Sequence, residues 1–298
     1  MDERTFDTLE LRDLIELAVR HVQTAPGRHR MRRLRPSSLR ADIVRELEIT
    51  SECVRFLNAH GRFGLSGVDE IDPVVSLLHI EGTSLEPKQI LAIERLLFIS
   101  KELKEFIRSA EPDGRFPHLS FIASKIPDLR LLLDFIHGKI LPNGEIDDKA
   151  SPELGIVRKD LSERRHRIHR TLESIFRGQV HAVQEEIITF RNGRFVIPVR
   201  TDSRNQIPGV VHGLSSSGQT TFVEPMNVID QNNDLVRLKE QEAIEISRIL
   251  FSITESLRKN AASVRACLEI VAAVDVAQAK AIFAAEFDCV APRISEGR

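Results

Sequence analysis

At 298 residues and a net charge of −2, the chain is long enough for one large or two ordinary domains, and its near-neutral balance confines any nucleic-acid surface to a local patch. It contains neither Trp nor Tyr, so a single-strand binder of the base-stacking kind has only Phe to offer. Cys53, Cys267 and Cys289 lie far apart without CxxC spacing, which fits a reduced cytosolic protein with neither a disulfide frame nor a zinc cluster.

The charged start, Met1 to Thr5, is no signal peptide, and no apolar run approaches the length of a membrane span. A cytoplasmic protein is expected. Helical spacing of Phe6, Leu9, Ile15, Ala18, Val19 and Val22 predicts a helix over 5–24, closed by Pro26-Gly27. Six arginines and no acid follow between Arg28 and Arg40, a basic patch or a solvated linker. Leu39 to His60 reads as the next helix, and Gly61, Gly64 and Gly67 then break the chain. Asp69, Glu70 and Asp72 form an acidic cluster of a kind that metal-dependent nucleases use. Pro73 favours instead a helix start, where acids complement the macrodipole. A longer helix is predicted from Glu86 to about Ser109, with shorter ones over Leu119–Lys125 and Leu129–His137.

Ser151 followed by Pro152 is a strong helix start, because the serine oxygen caps and proline lacks the amide that would be orphaned there. Leu154, Val157, Leu161, Ile168, Leu172 and Ile175 then keep a nearly heptad rhythm, a seam for one partner helix. His166 and His169 stand at i, i+3 on this helix, as metal ligands could, but among arginines and without a third ligand. Met226 to about Lys259 reads as the antiparallel return helix, with Leu235, Leu238, Ile246, Ile249, Ile253 and Leu257 toward the seam. An alanine-rich helix follows to Phe287.

Between these helices, 186–225 alone reads clearly as β-structure. Asn192-Gly193 between β-branched runs predicts a two-residue hairpin. Pro198 should place the second strand at an edge, since it cannot donate to a ladder. Pro208-Gly209 and the Gly213–Gly218 loop give two more turns. Arg191, Arg194, Arg200 and Arg204 face one nearby acid, Asp202, and the loop adds Ser215, Ser216, Ser217, Gln219 and Thr220. Guanidinium forks and hydroxyls on exposed turns suit phosphate contacts. Composition alone favours a plainer alternative, a solvated hairpin whose arginines pair with acids. Gly213 to Thr220 also has the spacing of a phosphate-cradling P-loop, but Gln219 stands where lysine should be and a strand, not a helix, is predicted to follow. No catalytic or metal residue is assigned.

The resulting expectation is a mainly α chain: a helical core (1–150), an ascending helix (151–185), a β tip (186–225) and a returning helix with its successor (226–298). The two long helices would form an antiparallel lever arm carrying the small β-rich clamp tip.

The run Thr189-Phe190-Arg191-Asn192-Gly193-Arg194-Phe195-Val196-Ile197-Pro198-Val199, then Pro208 to His212, Ser215 to Gly218 and Phe222-Val223-Glu224-Pro225, resembles the MutS superfamily, in particular the bacterial MutS-two branch. Asn232-Asn233 with Leu235, and Gly144 with Asp147, Ala150 and Ser151, are similar to it too. The resemblance implies the core, lever and clamp region of a dimeric ATPase. In this branch an ABC-type ATPase domain, which uses ATP and magnesium, and commonly an Smr nuclease domain follow the lever, and neither motif set occurs before Arg298. The implied partners are branched or duplex DNA, or the ribosome and its rRNA, in restraint of recombination, repair or rescue of collided ribosomes, with a homodimer expected. The clamp contacts map onto Arg191, Arg194, Arg200, Arg204 and the Ser215–Thr220 loop. Two other classes stand beside this: a structural dimerisation and lever scaffold, and a self-contained enzyme built on the Asp69 cluster or on His166 and His169.

Overall fold

The computed structural model describes residues 3–110 and 114–294. Its helices in chain order are α1 (Glu3–Thr8), α2 (Leu11–Val19), α3 (Ala25–Arg32), α4 (Arg40–His60), α5 (Asp72–Leu77), α6 (Pro87–Ser109), α7 (Pro117–Ser124), α8 (Arg130–Ile136), α9 (Pro152–Gly178), α10 (Met226–Lys259) and α11 (Ala261–Glu286). The strands are β1 (Thr189–Arg191), β2 (Arg194–Arg200), β3 (Gly209–Leu214) and β4 (Thr220–Pro225). The chain is therefore mainly helical, with a small antiparallel sheet among the described residues. It divides into two units, Met1–Glu145 with Leu250–Arg298, and Ile146–Ile249.

Helix starts follow local chemistry. Glu86 and Gln89 form a capping box at α6, each satisfying a backbone N–H that the first turn leaves orphaned. Ser151 caps α9, its hydroxyl accepting from Leu154 N at 3.1 Å. The one predicted helix over 5–24 is instead two, interrupted at Glu10, whose φ of 52° leaves the helical region. Pro26 does not end it. It opens α3, with the Thr24 hydroxyl accepting from Gly27 N at 2.9 Å, because a proline in the first turn forfeits only an amide that has no helical partner.

The first unit is built around α11, which packs against α2, α3, α4, α5, α6 and α7 and buries Val264, Leu268, Val271, Ala272, Val274, Ala277, Ala279 and Ala281. A helix surrounded in this way is apolar on most sides, and its small alanines admit close neighbours. Two polar side chains lie inside as well. Asp275, fully buried, accepts from Thr24 N (2.7 Å), Thr24 Oγ1 (2.6 Å) and Gln23 N (3.1 Å). Gln278 accepts from Phe63 N at 2.7 Å, while Gln23 donates to Phe63 O at 2.8 Å. Burial pushes the Asp275 carboxyl above the usual range, against the pull of those donors. The network ties α11 to the turn before α3. Asp275→Ala is expected to destabilise the chain by about 3 kcal/mol, because buried donors lose their acceptor; an unchanged urea midpoint would contradict this.

In the second unit α9 and the first part of α10 run antiparallel. Arg158 bonds Glu242 (2.7 Å) and Arg164 pairs with Asp234 (3.0 Å), while Ser151 donates to Glu245 (2.7 Å). Burial works against the charge on Arg158, yet hydrogen bonds to Asp148 and Glu242 outweigh it and hold the guanidinium above its ordinary range. Between the helices Leu161, Ile168, Leu172 and Phe176 meet Val228, Leu235 and Leu238. The same cluster continues into the sheet through Ile197, Val199, Ile207 and Val223. Helices and sheet thus share one core and must order together.

The strand order is β1-β2-β4-β3, which corrects the edge position expected for β2. Pro198 sits inside the sheet, opposite Phe222 of β4. It is tolerated because on its other side β1 reaches only to Thr189, opposite Val196, and the chain at 182–184 takes over, Gln184 N donating to Pro198 O at 2.9 Å. The missing amide falls in the gap between these two neighbours. Gly213 likewise belongs to β3, at an irregularity in its register with β4, so the last loop is shorter than predicted.

Glu245 accepts from Arg248 at 2.9 and 3.1 Å as well as from Ser151, and these bonds, Arg248 first, hold its pKa below the ordinary value. A depressed folded pKa contributes stability that is complete above the unfolded value of about 4.3 and is lost as pH falls through the folded one. Glu245→Gln should therefore flatten the acid side of the stability profile in that window, followed by chemical denaturation across pH; an unaltered profile would remove Glu245 from the account.

Candidate nucleic-acid interface

The β1–β2 connection is the tight hairpin that Asn192-Gly193 predicts. Both residues have positive φ, 50° and 79°, as a type I′ turn requires, and Arg191 faces Arg194 across it. At the opposite end of the sheet, β2 ends at Arg200, paired with Thr220 where β4 begins. Thr201 N donates to Gln219 O (3.0 Å) and Thr201 Oγ1 to Gly218 O (2.8 Å), so the short 3-10 turn Thr201–Gln206 is stitched to the β3–β4 loop. The fold thus brings together Arg200, Arg204, Ser215, Ser216, Ser217, Gln219 and Thr220, and places Arg191 and Arg194 elsewhere.

These two groups differ in what their side chains do. Arg194 Nη1 donates to Glu224 Oε1 at 2.8 Å and its Nη2 to Asn233 Oδ1 at 2.6 Å. Glu224 is only 2% exposed. It also accepts from Asn232 Nδ2 (2.9 Å), and its other oxygen lies 2.7 Å from His212 Nε2. Asn232 in turn brackets the Phe195 backbone, accepting from its N and donating to its O, both at 3.0 Å. Arg191 lays its guanidinium over the Phe222 ring, 4.2 Å from the centroid. Both hairpin arginines are therefore engaged by the sheet itself.

At the other end the cations are free of such ties. Arg200 is exposed and meets Asp202 only at 3.7 Å, a surface pair of small energetic weight. Arg204 is exposed on the 3-10 turn. The loop closes on itself through Ser215 N to Thr220 O (2.8 Å) and Gly218 N to Ser215 O (2.9 Å), leaving Ser216, Ser217 and Gln219 at the surface. Two guanidiniums beside a tight hydroxyl-bearing turn can engage successive phosphates. The loop leads into β4, the hairpin context expected of it, and not into a helix whose N-terminus would meet a phosphate.

The other sequence candidates lie apart. Asp72 opens α5 and accepts from Arg265 at 2.6 Å, and Glu70 faces His29 at 3.3 Å, so the acidic cluster is drawn to separate partners. His169 packs edge-on against Phe195, with centroids 5.1 Å apart, while His166 is exposed. Of the six arginines at 28–40, Arg32 is engaged with Glu16 at 2.7 and 3.0 Å, and Arg35 stacks over Phe6.

What sequence reading did not assign is the role of Glu224, His212 and Asn232. For His212 and Glu224 the signal was available as polar residues inside β-branched strands, yet only the strand register, and the docking of α10 that brings Asn232, gather them on one carboxylate. Gly209 completes the arrangement, since a Cβ there would stand 2.2 Å from the Glu224 carbonyl oxygen. Glu224→Ala is expected to destabilise the second unit by about 3 kcal/mol, the effect of leaving the half-buried Arg194 cation and the buried Asn232 amide without their acceptor. Proteolytic cleavage within 186–225 should accelerate, and a cleavage rate equal to the parent's would contradict the assignment.

No protein-family model matches the chain. Curated sequences do: it is 34% identical over 289 residues to an Endonuclease MutS2 of Thermomicrobium roseum, covering 97% of this chain and 36% of that protein. It is 30% identical to an Endonuclease MutS2 of Alkaliphilus oremlandii, covering 100% of the chain and 38% of the relative, and 33% identical to one from a Geobacillus species, covering 99% and 38%. The chain thus spans little more than a third of the length of these relatives.

Proposed function

Over its whole length this chain is a partial region of the MutS2 family, and from that premise we propose that its second unit is a nucleic-acid clamp serving a MutS-type ATPase. In this reading α9 and the first part of α10 act as the lever, the sheet is the gripping element, and ATP and magnesium are handled by a part of such proteins outside this region. The partner is the phosphate backbone of branched or duplex DNA, or of ribosomal RNA, bound by a homodimer. We assign no hydrolytic step to any residue of this chain.

The observation that carries the reading is exposed Arg200, paired with Thr220 at the start of β4, and exposed Arg204 on the 3-10 turn that Thr201 stitches to the same loop, while Arg191 and Arg194 at the hairpin end are engaged by Phe222 and Glu224. Contacts of this kind position a protein on a polyanion without reading sequence. A second reading, a dimerisation scaffold, draws on β3, an outer strand of the sheet whose Val210, Val211 and Leu214 are exposed.

Salt dependence separates the two. Binding of the chain to labelled duplex or branched DNA, or to rRNA fragments, should weaken linearly in log salt, and Arg200→Ala with Arg204→Ala should reduce the slope by about two. A stable dimer by light scattering, with no measurable affinity for these polyanions at low salt, would favour the scaffold.

A further inference from the structure

The hairpin end of the sheet carries a feature that phosphate gripping does not use. Phe190 lies on β1, a three-residue outer strand, and the residue is 48% exposed. It is nevertheless held in place. Phe195 meets it at 5.0 Å, close to edge-to-face, and Phe195 is itself braced by His169 of α9 at 5.1 Å. Lys239 of α10 brings its ammonium 4.3 Å from the Phe190 centroid. Phe98, Phe121 and Phe135 are also exposed with a cation over the ring, and Phe190 differs from them in being braced by a second aromatic ring.

We propose that Phe190 and Lys239 form a stacking subsite for one unpaired base of a nucleic acid. The proposal rests on the nucleic-acid reading above and narrows its substrate class to strands with a single-stranded segment. The physical exchange is direct. Every base has a π-face that can stack on an aromatic ring irrespective of sequence, and the ammonium that the ring now attracts can swing to the phosphate of the stacked nucleotide. A lysine–ring attraction at an exposed site is weak, so releasing it for a charged phosphate is favourable. A base inside a duplex is already stacked and offers no free face, so the subsite discriminates unpaired from paired strands.

The chain has no Trp, which makes Phe190→Trp a sole fluorescent reporter at the site. Its emission should be quenched on titration with short oligo-dT and oligo-U, and should hold steady with a short blunt duplex. Phe190→Ala should weaken oligo-dT binding by about tenfold, the effect of removing one stacking contact, and leave duplex binding and its salt slope as they were. Circular dichroism melts of both variants establish that they fold. Suppose duplex binding remains sensitive to Arg200 and Arg204. Indole emission that oligo-dT leaves unquenched in the Phe190→Trp variant, or an oligo-dT affinity unmoved by Phe190→Ala, would then overturn the stacking subsite alone. Absence of binding to every nucleic acid would overturn it together with the reading beneath it.

Discussion

The second unit depends on one buried carboxylate. Glu224 is nearly sealed from solvent, and an ionised carboxylate there is tenable only with good partners. It has a guanidinium from β2, an imidazole from β3 and an amide from α10. Because those three groups come from three elements, none of them can dock alone without leaving an unpaired polar group behind. Sheet and helix are therefore coupled by electrostatics as well as by their common apolar core. Asn232 adds a backbone bracket on Phe195, fixing where the hairpin meets α10.

This coupling changes the meaning of the residues that make the chain recognisable. Arg194, Glu224, Asn232 and Asn233 belong to the stretches that resemble the MutS superfamily, and each is engaged in holding the sheet on its helix. They are a signature of how the region folds. The groups of the proposed contacts stand at positions on which the fold makes little demand: a strand end, a short 3-10 turn, a hairpin loop and one half-exposed ring.

Local chemistry is legible in the sequence. The Asn192-Gly193 turn, the Ser151-Pro152 start of α9 and the full extent of α10 depend on neighbours in the chain, and each stands where those neighbours put it. Properties set by distant partners are not legible. Pro198 reads as an edge residue because proline lacks a donor, but whether a donor is needed depends on where β1 stops. Pro26 reads as a helix end, yet Thr24 makes it a beginning. Arg194 reads as a free cation because its acid lies thirty residues away across the sheet. Asp275 and Gln278 sit in an alanine-rich helix with nothing adjacent to mark them as buried network members, since their partners lie more than two hundred residues earlier.

The same distinction governs how the region can be probed. Reversing charge at Arg194 removes the cation that neutralises Glu224, so folding and any binding would fall together and the result could not separate them. Arg191 is engaged in a similar way through the Phe222 ring, though with a weaker hold. Arg200 and Arg204 anchor nothing buried, so a change there alters the external field while the core stays intact. Phe190 stands between these cases: its edge leans on Phe195, but about half of its surface faces solvent. Its truncation removes that exposed area and one ring contact with Phe195, and touches no buried member of the core. Where a side chain contributes little to its own fold and is still held rigid by its neighbours, the rigidity lowers the entropic cost of receiving a ligand.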